Sequence, residues 1–351
     1  MRRPAPVPEP LLDTASRQEG LLSTAQCERA GLTRDRRAAL RRAGELVPVV
    51  RGVHDAAVAV AGRHGLDVFA APAQRSRRGP EGGDALAAPR DPDHLRRRAA
   101  WTALLALDPA RAVAVGCCAL ALHGVQGLPA TIRPEAALPS AGGRRPRGGG
   151  PAAGSVTRCF RTGDVVVVAG ARAVVPELAL AQAVCELGRE HAVAVLDSAL
   201  QRGLVPAGDL SGVRAWARGR RGAARLAEWW HLVDGRAQSP LETRARLQCV
   251  DAGIPPHDVQ VPVRDRAGRV VARGDLGWVQ RDGRLLVAEV DGVGPHSTPA
   301  ALYEDRRRQN AIAAADAVLV RFTAEDIRAR HVVPSTIRRH LGTDGSGSTR
   351  W

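Results

Sequence analysis

A chain of 351 residues exceeds one average domain and is expected to fold as two or three. Its hydrophobic content of 44% is enough for cores, and an aromatic share of 3% excludes cores built on rings, leaving Ala, Val and Leu to fill them. The net charge of +15 comes from 51 cationic residues, all arginine, against 36 carboxylates; GC-rich coding explains arginine over lysine, but the excess of cations points to a polyanionic partner, nucleic acid first.

No apolar run reaches the roughly eighteen residues a spanning helix needs, and "MRRPAPVPEP" lacks the apolar core of a signal peptide. A soluble cytoplasmic protein, away from membranes, is the expectation. Cys27, Cys117, Cys118, Cys159, Cys185 and Cys249 form no CxxC pair and lie mostly in apolar runs, as small buried hydrophobes in a reducing compartment do.

Residues 10–70 read as the first domain. A helix is expected over about 11–19 and a second after Ser23 or Thr24, stopped by Gly31; a third is capped by Thr33 and ends at Gly44. "ELVPVVRGVH" follows as a short strand pair, with Pro48 fitting an edge strand or a bulge. Helix, helix, basic helix and hairpin is the order of a winged helix-turn-helix. Arg34, Arg36, Arg37, Arg41 and Arg42 spread round the third helix, so some can meet phosphates of double-stranded DNA while others reach a groove. The plain alternative is a solvated basic helix.

Residues 71–93 are rich in Pro, Gly and Arg and read as a linker; 139–154 is a second such stretch, read as a long loop. Between 94 and 235 helical and strand-like segments alternate in an α-rich middle domain. "HLRRRAAWTALLAL" presents Leu95, Trp101, Leu104 and Leu105 as its apolar face, and two alanine-packed helices divide near Gly188. His123, on an apolar face, reads as a packed core histidine.

The chemistry concentrates in residues 236–341, before a tail of 342–351 expected to be disordered. The order helix, three strands, helix, strand, helix gives an α/β sandwich with a mixed sheet. A two-residue turn at Asp282-Gly283 would pair Asp275 with Val290. A three-residue loop, Arg281-Asp282-Gly283 with Gly283 left-handed, pairs Asp275 with Glu289 instead, and this register is the expected one. It groups Asp275, Glu289 and Asp291 at one end of a hairpin, where the carboxylates repel unless solvent screens them or a divalent cation uses them. Oxygen ligands favour Mg²⁺ or Mn²⁺, which activates water and offsets charge on a phosphodiester.

Glu242 carries two readings. Ser239-Pro240-Leu241-Glu242 is a capping box with Pro at the first helical position, and the same first turn aims a carboxylate. His296 orients a phosphate, acts as a proton shuttle, or belongs to the loop before the helix that Pro299 begins. Arg306, Arg307 and Arg308 make one helix basic, as a solvated face or as a hold on the substrate backbone.

"SPLE", "GDLGW", "AEVDG....H", "EDRRRQN" and "VLVRFTAEDI", in that order, resemble the very-short-patch-repair-like branch of the PD-(D/E)xK endonuclease-like superfamily. This branch is often found as a domain of unknown function in actinobacterial proteins. The resemblance implies a restriction-endonuclease-like domain with Asp275 and Glu289 on the metal, Glu242 as the helix acid, and Asp291 where the name-giving lysine usually stands. "GLLSTAQCERAGLTRDRRAALRRAGELVPVVRGVH" resembles the winged-helix domain of AbiEi-type antitoxins, which implies DNA binding and a toxin partner. With no lysine in the chain, Arg273 or an arginine of 306–308 is the expected substitute for the missing cation. Otherwise the site uses a second metal or only binds. The two functional readings are therefore a metal-dependent DNA endonuclease, and a non-catalytic regulator of the antitoxin type on a degenerate nuclease fold.

Overall fold

The computed structural model describes residues 4–57, 91–138, 164–206, 208–291, 312, 315 and 317–342. It is an α/β structure whose sheets are antiparallel and mixed. The chain divides into two units: residues 1–186 with 211–220, and residues 187–210 with 221–351.

The first unit begins with α1 (Glu9–Arg17), β1 (Leu21–Ser23), α2 (Thr24–Arg29), α3 (Arg34–Arg42), β2 (Val47–Val50) and β3 (Val53–Asp55). Local sequence accounts for each boundary. Ser23 forms a full capping box with Gln26, and the Thr33 hydroxyl accepts the N–H of Arg36. Gly31 and Gly44, both at positive φ, end α2 and α3. The three strands form an antiparallel sheet in the order β1-β3-β2, with a register shift between Pro48 and Val50. Leu11, Ala15, Leu22, Cys27, Leu32, Leu40 and Leu46 close a small aliphatic core under it.

The same unit continues through α4 (Pro92–Leu107), β4 (Val113–Ala114), α5 (Gly116–Leu122), β5 (Ala136–Ala137), β6 (Val165–Val168), β7 (Ala171–Val174), α6 (Pro176–Val184) and α8 (Ser211–Ala217). The four short strands form a sheet in the order β5-β4-β7-β6, with β4 and β7 parallel. On α4 the buried face includes His94, Trp101, Leu104 and Leu105, while Leu95 is only half-buried. His94 is inside because it bonds Glu19, a residue held at φ 54°. Arg97 reaches the other Glu19 oxygen at 2.5 Å, and Arg98 reaches the buried Asp55 at 2.5 Å. Burial alone would raise the Glu19 pKa; the hydrogen bonds from His94 and Arg97 outweigh it and hold the carboxyl below its ordinary value. His123 donates through Nε2–H to the Val174 carbonyl at 2.8 Å, as a packed histidine should.

The second unit holds α7 (Arg189–Gln201), α9 (Pro240–Asp251), β8 (Asp258–Arg264), β9 (Val270–Val279), β10 (Leu285–Asp291), β11 (Val318–Thr323), α10 (Ala324–Arg328) and α11 (Val332–Leu341). Its sheet runs β11-β10-β9-β8, antiparallel except for the parallel β10–β11 pair. Trp278, Leu276, Leu286 and Phe322 of the sheet pack against Ala245 and Cys249 of α9 and against Ile327, Val333 and Ile337. The Trp278 indole N–H donates to the Ile254 carbonyl at 3.1 Å, so the large ring is buried without an orphaned donor. Gly274 and Gly277 keep the sheet close-packed. A Cβ at Gly274 would lie 1.9 Å from Val287 Cγ1, and one at Gly277 would lie 2.6 Å from Val261 Cγ2.

A buried polar knot ties α7 to α9. The Asp197 Oδ2 accepts from Arg246 and from the Thr243 hydroxyl, each at 2.8 Å, while Oδ1 accepts the Asp234 N–H at 2.7 Å. Burial pushes Asp197 up to about 6 in spite of the guanidinium beside it. Cys27 is pushed up to about 11 and Cys249 to about 12 by the same cause, which leaves both thiols protonated and inert at neutral pH. Among the described residues no helix is long and apolar enough to cross a membrane.

Candidate functional site

The β9–β10 hairpin decides whether the carboxylates meet. Gly283 sits at φ 85°, its N–H donates to Gln280 at 3.0 Å, and Gln280 closes the loop on Arg284 at 2.8 Å. This is the three-residue loop, and the pairs Leu285↔Val279 through Ala288↔Leu276 put Asp275 opposite Glu289 one step on. The expected register is the observed one.

The neighbouring strands extend that pairing. Glu289 pairs with Arg321 on β11, and Gln260 on β8 falls opposite Asp275, between the pairs Val259↔Leu276 and Val261↔Gly274. Gln260, Asp275, Glu289 and Arg321 therefore make one transverse row across all four strands, spaced about 5 Å apart at the backbone. Glutamine and arginine flank two carboxylates in this row.

Hydrogen bonds fill the row in. The Gln260 amide donates to Asp275 Oδ1 at 3.2 Å and to Glu242 Oε2 at 2.9 Å. Asp275 Oδ2 accepts the Val290 N–H at 2.8 Å, so this carboxylate replaces a backbone acceptor at the end of the ladder. Arg321 Nε donates to Glu289 Oε2 at 3.0 Å, and the Glu289 side chain is 6% exposed against 29% for Arg321. Gln260 adopts φ 51°, a left-handed backbone that a glutamine takes only under constraint.

At Glu242 the helix cap forms, but the reciprocal half of the capping box does not. The Ser239 hydroxyl accepts the Glu242 N–H at 3.2 Å, as in a cap. The carboxylate does not return to the Ser239 backbone N–H. It accepts the Gln238 N–H at 2.9 Å and shares Gln260 with Asp275, so the capped turn aims the acid into the row. Burial raises the Glu242 pKa, the Gln238 N–H opposes that, and the negative charge of Asp275 adds to the rise. Glu242 and Asp275 are close enough to sense each other's charge.

The remaining candidates are less convergent. Asp291 is exposed where Glu289 is buried, so acids two apart on one strand occupy different environments. Arg273 is exposed. His296 and Arg306, Arg307 and Arg308 lie outside the described residues. Among the described residues, no three His, Cys, Asp or Glu side chains converge as an ion would need. The donor set of Glu242, Asp275 and Glu289 nonetheless has the chemistry of a hard-cation site, being all carboxylate oxygen. Gln260 donates to Glu242 and Asp275, and Arg321 donates to Glu289.

Gln260 and Arg321 went unread in the sequence. Arg321 lay in a quoted strand motif, and its signal was that the strand after an α/β crossover runs beside β10. Gln260 gave none, because glutamine in a strand is ordinary and its left-handed backbone is not encoded in its residue type.

On the basic helix α3, Arg34, Arg41 and Arg42 are exposed. Arg36 and Arg37 are half-buried and engaged within the unit. Arg36 donates to the Pro6 carbonyl at 3.0 Å, and Arg37 donates to Leu32 at 2.7 Å and to Glu28 at 2.8 Å. Arg51 is exposed in the turn between β2 and β3.

No protein-family model matches the chain. No solved structure matches it. It is similar to uncharacterized proteins from two strains of Mycobacterium tuberculosis, CDC 1551 / Oshkosh and H37Rv, at 30% identity over 175 residues, which is 50% of this chain. The match spans 63% of the length of each of these relatives.

Proposed function

We propose that the chain binds double-stranded DNA through an N-terminal winged helix-turn-helix and hydrolyses phosphodiesters in a C-terminal endonuclease-like domain using Mg²⁺ or Mn²⁺. The observation that carries the hydrolytic reading is the row of Gln260, Asp275, Glu289 and Arg321, with Glu242 joined to it through Gln260. Three carboxylates from a helix and two paired strands, and a guanidinium beside them, are the groups that phosphodiester hydrolysis needs.

Asp275 and Glu289 would hold the cation, with Glu242 completing the oxygen set. When bound, the cation supplies an activated water and offsets charge on the phosphate. The residues of the chain do the rest. The Val290 N–H fixes the orientation of Asp275. The Gln238 N–H and the Ser239 cap fix the orientation of Glu242. Burial and the charge of Asp275 raise the Glu242 pKa, so a nearby cation would relieve an unfavourable ionisation.

Support for the DNA-binding reading comes from the order of α1, β1, α2, α3, β2 and β3, the β1-β3-β2 sheet, and three exposed arginines on α3. Arg34, Arg41 and Arg42 are the expected phosphate contacts, while Arg36 and Arg37 support the fold. Replacing Arg34, Arg41 and Arg42 together with alanine is expected to lower the slope of log K against log[salt] by up to about 2.7. Fluorescence anisotropy over a salt series measures it; Arg36→Ala should leave that slope unchanged.

A second reading has an observation of its own. Arg321 neutralises Glu289, and Gln260 bridges Glu242 and Asp275, which is how a nuclease fold that only binds would satisfy its buried acids. In that reading the chain is a non-catalytic regulator of the antitoxin type, with a toxin as its protein partner. Incubating purified protein with supercoiled DNA and Mg²⁺, Mn²⁺ or a chelator separates the two. Nicking that requires metal supports hydrolysis; salt-sensitive binding without nicking supports the regulator.

A further inference from the structure

We infer that Arg321 is an exchangeable counter-ion, which neutralises Glu289 while the site is empty and passes to the DNA phosphate when a divalent cation takes that carboxylate. This inference rests on the hydrolytic reading and adds to it the residue that controls entry to the site.

The argument starts from burial. Glu289 is 5% exposed, and a buried carboxylate needs a cation or must take up a proton. Arg321 meets that need from the adjacent parallel strand, in direct register, through Nε at 3.0 Å. Its side chain is 29% exposed, so the guanidinium spans from the buried acid to solvent. A divalent cation and a guanidinium on the same carboxylate repel each other strongly at such distances. The arrival of one therefore favours the departure of the other.

The departing guanidinium has a better partner at hand. Arginine binds phosphate through a planar fork of donors, and DNA delivers phosphates to the same place. With no lysine in the chain, a positioning cation must be an arginine. Among the described residues, Arg321 is an arginine bonded to the acid row. Gln260 is the neutral counterpart at the other end of the row, where its amide donates to two carboxylates at once. The row is thus closed by the protein's own donors, and Arg321 acts as a positioning residue on which metal entry depends.

The test titrates the purified full chain with MnCl₂ by calorimetry, comparing wild type with Arg321→Gln and Glu289→Gln. Removing one competing charge beside a partly screened site is expected to tighten Mn²⁺ binding by about tenfold in Arg321→Gln. The same variant should gain more in melting temperature from saturating Mn²⁺ than wild type does, yet cleave DNA more slowly at equal metal occupancy. Glu289→Gln should bind Mn²⁺ more weakly than either. If Arg321→Gln does not fold, as judged by circular dichroism, Arg321→Lys keeps the charge without the fork and should tighten binding by a smaller factor. Equal or weaker Mn²⁺ binding in the Arg321 variants, with wild type binding metal and nicking DNA, overturns the exchange alone. Absence of Mn²⁺ binding in wild type and variants alike overturns both the exchange and the hydrolytic reading.

Discussion

Exchanging Asp275 for asparagine is expected to abolish metal-dependent nicking while leaving DNA binding and fold intact. A Lewis acid contributes several kcal/mol of transition-state stabilisation, so its loss slows cleavage by about 10³-fold or more. The fold should tolerate the change because asparagine keeps one carbonyl oxygen for the Val290 N–H, the bond that now ends the β9–β10 ladder. Its amide then faces the Gln260 amide, so the bond between them is lost while Gln260 still donates to Glu242. Glu242 would lose a negative neighbour, and the part of its raised pKa that comes from Asp275 would relax. A plasmid-nicking time course beside an anisotropy titration measures both halves. Equal nicking by wild type and Asp275→Asn would move the chemistry away from this row.

Replacing Arg246 by methionine should cost the C-terminal unit about 3–5 kcal/mol at neutral pH, because it leaves Asp197 buried without its cation. Asp197 is 1% exposed and Arg246 7%, and the guanidinium also donates to the Leu232 carbonyl. The pH dependence has a definite sign. Asp197 is raised from its ordinary 3.8 to about 6, so its ionisation is disfavoured by folding; that penalty is absent below about pH 4 and grows as pH climbs through 6. Without Arg246 ionisation is harder still. The gap between wild type and Arg246→Met should therefore be widest above pH 7 and narrow towards pH 4, where the carboxyl is neutral in both. Adding Asp197→Asn, which retains an acceptor for the Asp234 N–H, should recover much of the loss. Urea unfolding of the three proteins at pH 7.5 and pH 4.5 measures both effects.

Much of the fold was legible because local chemistry marks its boundaries. Ser23, Thr33 and Ser239 cap the helices that the sequence assigns to them. Gly283 dictates a loop length, and loop length dictates register, so the pairing of Asp275 with Glu289 followed from one glycine. The face of α4 was harder, since His94 is buried by a hydrogen bond with Glu19, 75 residues away in sequence. Arg36 and Arg37 show the same limit. Their charge was plain, but their engagement with Pro6, Leu32 and Glu28 depends on tertiary placement. In the acid row the carboxylates were legible as an unusual spacing, whereas Gln260 and Arg321 gain their place only when four strands align.

The contacts of α4 bear on how the N-terminal module could be excised. Glu19 and Asp55 belong to the first sheet and its approach, but their cations, Arg97 and Arg98, with His94, stand beyond residues 58–90. A fragment cut within that stretch would carry two carboxylates shaped for burial and nothing to neutralise them. A piece that keeps these pairs, and the Pro6 carbonyl that holds Arg36, must run from Pro6 to beyond Arg98, so anyone grafting this module onto another protein must bring α4 with it.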